Sequence, residues 1–233
     1  MEPMKLHVEV PPQPDDESCG ITCLQAIYQY HGHETSIDAL KEEVVHWQTG
    51  GTVGVNLGRH ALAQGFTAEI YSYNIKVFDP TWRDLPMEEL RARLKMRQKR
   101  VRSNRQKKEI AFYLDFLKQS GIMRFDDLDE SLLKRLFGAH RPVICGLSAT
   151  YLYHTMRELP NNQESDVAGN PVGHFVVVSG YNPETHEVQI HDPLRRHALS
   201  ASGTYALPFL KFSNAVMLGI LTYDANLLVI GKP

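Results

Sequence analysis

The pattern of apolar residues changes from helical to strand-like at Pro142, and this change limits the folds open to the chain. Before it, apolar residues recur at helical spacing in three segments, residues 18–32, 36–47 and 56–66. Strands are predicted at residues 6–10, 67–73, 142–148, 174–182, 187–193, 216–223 and 226–232. Helices followed by strands predict an α+β fold, in which an N-terminal helical half packs against a C-terminal antiparallel sheet, with a cleft between them.

Residues 76–136 interrupt this order with strongly charged sequence of helical character. Within them, residues 87–121 are predicted to form one long helix or two helices in tandem, and residues 125–140 another helix. A length of 233 residues suits one large domain. We therefore predict a single domain over residues 1–233, with a basic helical insertion at about residues 76–136.

Composition and the N-terminal sequence bear on location. The chain is 42% hydrophobic with a net charge of −2, which is ordinary for a globular protein. Three cysteines are too few for a disulfide framework and suit a reducing compartment. The N-terminus lacks the pattern of a signal peptide, and no apolar stretch reaches the roughly 18 residues that span a bilayer. We expect a cytoplasmic protein without a transmembrane segment.

Cys19 is the candidate nucleophile. It lies at the predicted start of the first helix, which Ser18 is expected to cap, and there the helix dipole favours negative charge. The thiolate is the nucleophilic form of cysteine. Gly20 is expected to leave room for a substrate backbone beside the sulfur. Cys23, one turn further along, is expected to pack inward, and Cys145 is expected to be a core residue.

A cysteine nucleophile needs a base and a group that orients the base. His174 begins one predicted strand, and Asp192 ends the next after a short turn. In an antiparallel hairpin the start of one strand lies beside the end of its partner, so His174 and Asp192 are predicted to be neighbours. Gln13, on the loop that leads to Cys19, could stabilise an oxyanion together with the Cys19 backbone N–H.

Metal binding is a weaker alternative for the same residue types. His31 and His33 lie close together in sequence, as do His186, His191 and Asp192, but neither group has a recognised zinc spacing. Cys19 and Cys23 lack a second cysteine pair. We predict neither a metal nor a cofactor.

Together, Gln13, Cys19-Gly20, Gly173-His174 and Asp192-Pro193 resemble the papain-like cysteine peptidases of the bacteriocin-processing type, which remove double-glycine leader peptides. The resemblance covers about residues 5–75 and 137–232. It implies a papain-like fold, no cofactor, and four roles: Cys19 as nucleophile, His174 as general base and acid, Asp192 as orienting group and Gln13 as oxyanion donor.

The chain departs from the family pattern in three ways. Many members carry Asp directly before the nucleophile, where this chain has Ser18. The chain has no transporter portion, and the insertion at 76–136 has no counterpart in the shorter family core. Coupling to export and specificity for leader peptides are therefore not carried over.

Three functions are compatible with these residues. The leading interpretation is a peptidase that hydrolyses an amide bond through an acyl-enzyme. An acyl- or peptidyl-transferase would use the same residues and a different second nucleophile. A non-catalytic adaptor that binds a peptide is the third, and the intact set of site residues disfavours it.

Residues 91–108 contain ten Lys or Arg and no acidic residue, which leaves a net charge of −12 for the rest of the chain. This segment could be a solvated helix face that pairs with the protein's own acidic surface. It could instead bind an acidic partner, and we favour an acidic peptide or protein substrate. Nucleic acid is disfavoured, because no aromatic residue for base stacking lies within the segment. The oligomeric state is not predicted.

Overall fold

A computed structural model describes residues 3–47, 51–195, 197, 199–222 and 224–232. In this part of the chain, one sheet of eight strands runs in the order β3-β2-β8-β4-β5-β6-β7, and β1 pairs with the far end of β5. The strands are β1 Met4–Lys5, β2 Thr67–Ser72, β3 Ile122–Arg124, β4 Val143–Ser148, β5 Gly173–Asn182, β6 Glu187–His191, β7 Thr204–Pro208 and β8 Asn226–Gly231.

Helices of varied length pack around this sheet. They are α1 Cys19–Tyr30, α2 Ile37–Glu43, α3 Gly54–Ala63, α4 Met87–Arg100, α5 Asn104–Lys118, α6 Glu130–Gly138, α7 Ala149–Tyr153 and α8 Phe209–Leu218. Short 3-10 turns lie at Pro80–Trp82 and Gly219–Thr222. Every strand pairing is antiparallel except that of β2 with β3, so the predicted α+β class is confirmed.

The division into a helical half and a sheet half is less strict than the sequence indicated. β1 and β2 come from the N-terminal half and join the same sheet, while α7 and α8 lie in the C-terminal half. β3 and β7 were not predicted. Both are short, and three to five residues give little periodicity to recognise.

Two predicted strands are wrong. The N-terminal strand lies at Met4–Lys5 rather than at 6–10, where the alternating burial of Leu6, Val8 and Val10 reflects one side of an extended segment. Beyond Leu6, whose N–H donates to Ser179 O, the sheet pairing stops before the prolines that cannot donate. The predicted strand 216–223 lies instead in α8 and the following 3-10 turn, with Tyr223 outside the described residues. Its apolar run is equally compatible with a helix that buries one face.

The segment 76–136 holds two tandem helices, α4 and α5, in place of one long helix. The break follows from Ser103, whose hydroxyl accepts a hydrogen bond from Gln106 N and caps α5. α6 confirms the third predicted helix of the segment. The segment is not purely helical, because β3 pairs in parallel with β2. The buried ring of Phe116, on α5, packs against the position of Gly58 on α3.

Candidate active site

Cys19 is the first residue of α1 and is half-buried. Ser18 occupies the position before it, but its hydroxyl donates to Asp15 Oδ1 and does not cap the helix, contrary to the sequence prediction. Among the described residues, no side chain caps α1, so its first N–H groups can stabilise negative charge at Cys19.

The loop before Cys19 is held by Asp15. Its carboxylate accepts hydrogen bonds from the Ser18 hydroxyl, from Glu17 N at 3.1 Å and from Lys41 Nζ at 2.7 Å. The bonds from Lys41 and Ser18 lower the pKa of Asp15. These bonds hold the loop before α1 from both the exposed Asp15 and Glu17 and the buried Ser18.

Gln13 lies at the start of this loop, beside the end of the strand that precedes Asp192. Its backbone N–H donates to Pro193 O at 2.9 Å, and its side-chain Nε2 donates to Asp15 O at 2.8 Å. These contacts bring the loop that carries Gln13 against the residue after Asp192. The buried Oε1 of Gln13 has no hydrogen-bond partner among the described residues.

His174 and Asp192 lie together in the protein interior. His174 is the second residue of β5, Asp192 follows the last residue of β6, and the two strands are antiparallel neighbours. His174 Nε2 lies 2.8 Å from Asp192 Oδ1. Since this bond occupies Nε2, Nδ1 is the ring nitrogen left to face Cys19, whose side chain helps to raise the pKa of the ring.

The surroundings of His174 favour its charged form. Burial alone would lower its pKa, but the hydrogen bond and negative charge of Asp192 and the contact with Cys19 outweigh burial and raise the pKa to about 10. An imidazolium beside a cysteine favours the thiolate. The arrangement can therefore hold a thiolate–imidazolium pair at the start of α1.

Asp192 accepts three further hydrogen bonds. Tyr153 Oη and Tyr205 Oη donate to Oδ2 at 2.6 Å and 2.8 Å, and Leu194 N donates to Oδ1 at 2.9 Å. The carboxylate is fully buried. Burial opposes its charge, but the bonds from His174 and the two tyrosines outweigh burial and lower its pKa.

Sequence reasoning missed both tyrosines. Tyr153 ends α7, a five-residue helix, and Tyr205 lies in β7, which was not predicted. Their hydroxyls meet Asp192 only because these elements pack at the end of β6. No local signal in the sequence indicates that contact.

Gly20 and Cys23 face the protein rather than a substrate. A Cβ on Gly20 would lie 2.9 Å from Thr52 Cγ2 and 3.1 Å from Phe175 Cδ2, so the glycine is required by internal packing. This corrects the expectation that it opens a path for a substrate backbone. Cys23 is buried, as predicted, and burial raises its pKa. Cys145 is also buried, as predicted for a core residue, and burial likewise raises its pKa.

Within the described ranges, no group of three or more His, Cys, Asp or Glu side chains is placed to hold a metal ion. The helices of the same residues include none that is both long and apolar enough to cross a membrane.

Comparison with known proteins places this site in a family context. Residues 7–96, which include Gln13 and Cys19, match the model of the Peptidase C39 family. None of the curated proteins matches the chain.

Solved structures extend the comparison to the fold. A C39-like peptidase from Bacillus anthracis aligns with a TM-score of 0.50 at 17% identity, covering 100% of this chain and 99% of that one. Xylellain, a cysteine protease from Xylella fastidiosa, aligns at 0.47 and 16%, covering 100% and 85%. A double glycine motif protease from an AMS/PCAT transporter, in complex with its leader peptide, aligns at 0.46 and 13%, covering 100% and 99%.

The family match includes the candidate nucleophile, and the likeness to the Bacillus anthracis structure extends the same fold to the strands that carry His174 and Asp192. The chain is thus similar to the Peptidase C39 family over residues 7–96 and shares its fold with a C39-like peptidase.

Proposed function

We propose that the chain hydrolyses a peptide bond through a Cys19–His174–Asp192 triad and an acyl-enzyme intermediate. The observation that carries this proposal is the position of the His174 ring, which bonds Asp192 through Nε2 and contacts Cys19 at the start of α1. The base lies at hydrogen-bond distance from the orienting group and faces the nucleophile, and this order of groups supports nucleophilic catalysis.

In the first half of the reaction, the Cys19 thiolate attacks the carbonyl carbon of the scissile peptide bond. The carbonyl oxygen becomes an oxyanion as the carbon–sulfur bond forms. His174 then transfers its Nδ1 proton to the nitrogen of the leaving amine, and the carbon–nitrogen bond breaks. Asp192 holds the ring by Nε2 throughout and stabilises its charge before the transfer.

In the second half, neutral His174 accepts a proton from a water molecule that attacks the thioester. The carbon–sulfur bond breaks, the acid product leaves, and the thiolate–imidazolium pair forms again. No cofactor enters either half. The buried Asp192 remains ionised, since the donors around it lower its pKa.

Gln13 is proposed as the side-chain donor to the oxyanion. Its amide has two N–H donors, and the structure uses Nε2 for one bond to Asp15 O. The second N–H can join the backbone N–H of Cys19 around the developing charge. The bond between Gln13 N and Pro193 O ties this donor to the same end of the sheet as Asp192.

We also propose that residues 1–233 form one peptidase domain, with the segment 76–136 as an insertion. A cytoplasmic location is part of the proposal, because a thiol nucleophile and three free cysteines suit a reducing compartment.

The test is cleavage of a proteome-derived peptide library, with new termini read by mass spectrometry. Wild type is expected to produce a defined set of cleavages, and Cys19→Ala is expected to lower their rate by about a thousandfold. Cys145→Ala removes a cysteine from the core and is the matched control, expected to retain activity once folding is verified by circular dichroism. Equal cleavage by wild type and Cys19→Ala would refute the triad.

A further inference from the structure

Nine exposed cations cover α4, α5 and the turn between them, and we call this surface the basic platform. It consists of Arg93, Lys95, Arg97, Lys99, Arg100, Arg102, Arg105, Lys107 and Lys108. The two helices pack against each other and bury Leu90, Leu94 and Ile110, while the nine cations stay exposed. The catalytic chemistry proposed above makes no use of this surface.

Most of the platform is not paired with the protein's own acids. Arg93 bonds Glu89 at 3.1 Å, in an exposed pair, and Arg97 donates to the carbonyl oxygen of Lys76. Six cations have no acidic partner among the described residues, namely Lys95, Lys99, Arg100, Arg102, Lys107 and Lys108. Internal pairing therefore does not explain the charge of this segment.

Helix stability does not explain it either. Arg91, Lys95 and Lys99 lie four residues apart along α4, and like charges at this spacing destabilise a helix by about 0.2–0.5 kcal/mol per pair. The first turn of α5 contains no acidic residue, although an acid there would be favoured by the helix dipole. Arg105 and Lys107 stand near this positive end, where cations are disfavoured.

Contacts connect the platform to the start of α1. The Arg105 guanidinium lies 5.1 Å from the ring centroid of Trp47, and Lys108 Nζ lies 5.4 Å from it. Trp47 lies in the connection between α2 and α3. In the same connection, the Thr52 methyl packs against Gly20, the residue after Cys19. The platform and the residue after the nucleophile thus each contact a residue of the same connection, Trp47 and Thr52 respectively.

The chemistry of the platform favours an acidic peptide over other polyanions. Among the described residues, the ring of Trp47 beside the platform is half-buried and already stacked by Arg105 and Lys108, which disfavours its stacking on a base. A lipid surface requires apolar side chains that insert, and Met96 is the large apolar residue that the platform exposes. The rest of the chain carries a net charge of −12, so attraction for an acidic partner is concentrated at this surface.

We propose that the basic platform binds an acidic segment of the peptide or protein substrate and so selects acidic substrates for cleavage at Cys19. This inference rests on the proposed peptidase function. Binding at the platform can be measured without turnover, so the two proposals can fail separately.

The binding test compares two triple charge reversals in the full chain, each in wild type and in Cys19→Ala. The platform variant is Lys99→Glu, Arg102→Glu and Lys107→Glu. The control variant is Lys5→Glu, Lys118→Glu and Lys232→Glu, which reverses three exposed cations outside the platform and changes the net charge equally. The probe is a fluorescein-labelled peptide of about ten glutamates, followed by anisotropy at about 50 mM salt.

The platform variant is expected to bind this probe about tenfold more weakly, and the control variant within about twofold of the parent protein. Raising the salt to about 300 mM is expected to weaken binding by the parent protein about tenfold, since exposed charges are screened. Among peptides of the cleaved library, enrichment in Asp and Glu is expected for wild type and for the control variant, and its loss is expected for the platform variant.

Several results would overturn the proposal. They are an absence of binding to the glutamate peptide, equal weakening in both triple variants, and equal or tighter binding to a fluorescein-labelled oligothymidine of matched charge. Tighter binding to phosphatidylserine vesicles than to the peptide would also overturn it. Circular dichroism and labelling of Cys19 by iodoacetamide verify that each variant is folded and keeps its site. If Cys19→Ala cleaves as wild type does, the peptidase mechanism fails while the binding result stands.

Discussion

Cys23 Sγ donates a hydrogen bond to the carbonyl oxygen of Phe175 at 3.4 Å. Cys23 lies one helical turn after Cys19, and Phe175 directly follows His174 in β5. The bond therefore joins α1 to β5 next to the proposed nucleophile and the proposed base. Two cysteines four residues apart thus have different tasks, one at the surface of the site and one in the packing beneath it.

This difference predicts selective alkylation. In the folded protein, iodoacetamide is expected to modify Cys19 and to leave Cys23 and Cys145 unmodified, because both of the latter are fully buried and burial raises the pKa of each thiol. Peptide mapping by mass spectrometry measures the rate at each site. Denatured protein is the control and is expected to react at all three cysteines. Modification of Cys23 as fast as Cys19 would contradict this interpretation.

The pH dependence of activity tests the role of Asp192. The pKa of His174 is raised to about 10, so the imidazolium persists through neutral pH and is lost as the pH rises through that value. Asp192→Asn removes the negative charge that favours the imidazolium, so the alkaline limb of the kcat/KM profile is expected to move to lower pH. Activity at neutral pH is expected to fall about a hundredfold or more.

The measurement for Asp192→Asn is kcat/KM against pH from about 6 to about 10.5, with the surface variant Glu42→Gln as a control that changes the net charge equally. Glu42 is an exposed residue of α2. An alkaline limb that stays in place in Asp192→Asn would show that Asp192 does not set the protonation of His174.

Tyr153 and Tyr205 are expected to act as positioning residues. Their hydroxyls bond Asp192 Oδ2, and hydrogen bonds to a charged group contribute about 1.5–3 kcal/mol. Tyr153→Phe and Tyr205→Phe are each expected to lower kcat about tenfold with a smaller change in KM, because the bond loss loosens Asp192 without touching the substrate.

Tyr151→Phe is the matched control for the tyrosines, since Tyr151 shares α7 with Tyr153 and its hydroxyl meets Asn214 instead of Asp192. The pH profile separates catalysis from folding. Each of the two tyrosine variants is expected to shift the alkaline limb in the same direction as Asp192→Asn. If the variants lose activity only in proportion to a lower folded fraction and the pH profile of kcat/KM does not shift, the tyrosines have a structural role alone.

The sequence predicted the neighbours His174 and Asp192 because both lie in one hairpin, where the register of two consecutive strands follows from a short turn. The start of α1 could also be predicted from the sequence, since apolar spacing indicates a helix that begins near Cys19. The hydrogen-bond donors to Asp192 could not be predicted from the sequence, because Tyr153 and Tyr205 lie 39 and 13 residues away from it.

Other features required the structure for similar reasons. The role of Gly20 depends on Thr52 and Phe175, which approach it from distant segments. The pairing of the basic segment depends on where remote acids lie, so composition alone left two interpretations open. The apolar run at 216–223 fits a strand and a helix equally well until its packing against β4 is known.

A buried carboxyl in α5 predicts pH-dependent stability. Glu109 accepts a hydrogen bond from Asn74 Nδ2 at 2.9 Å, and burial together with the nearby charge of Asp224 raises its pKa from 4.5 to about 8. Between these values the folded state binds a proton that the unfolded state lacks. The free energy of unfolding therefore falls as the pH rises from about 4.5 to about 8.

Glu109→Gln replaces this carboxyl by a neutral group of the same shape. It is expected to raise the free energy of unfolding by about 2 kcal/mol above pH 8 and to change it little near pH 5. Urea unfolding at several pH values measures the difference, with Glu42→Gln as an exposed control. An equal effect of Glu109→Gln at both pH values would contradict the proton linkage.

The acyl-enzyme is the most direct test of the proposed mechanism. Wild type is mixed with a cleaved peptide in excess and quenched with acid within milliseconds to seconds, and the intact protein is weighed by mass spectrometry. The mechanism predicts an adduct equal in mass to the acyl part of the N-terminal product, mapped to Cys19 and released by hydroxylamine as a thioester. Turnover without any adduct, or an adduct that maps to another residue, would contradict a covalent mechanism at Cys19.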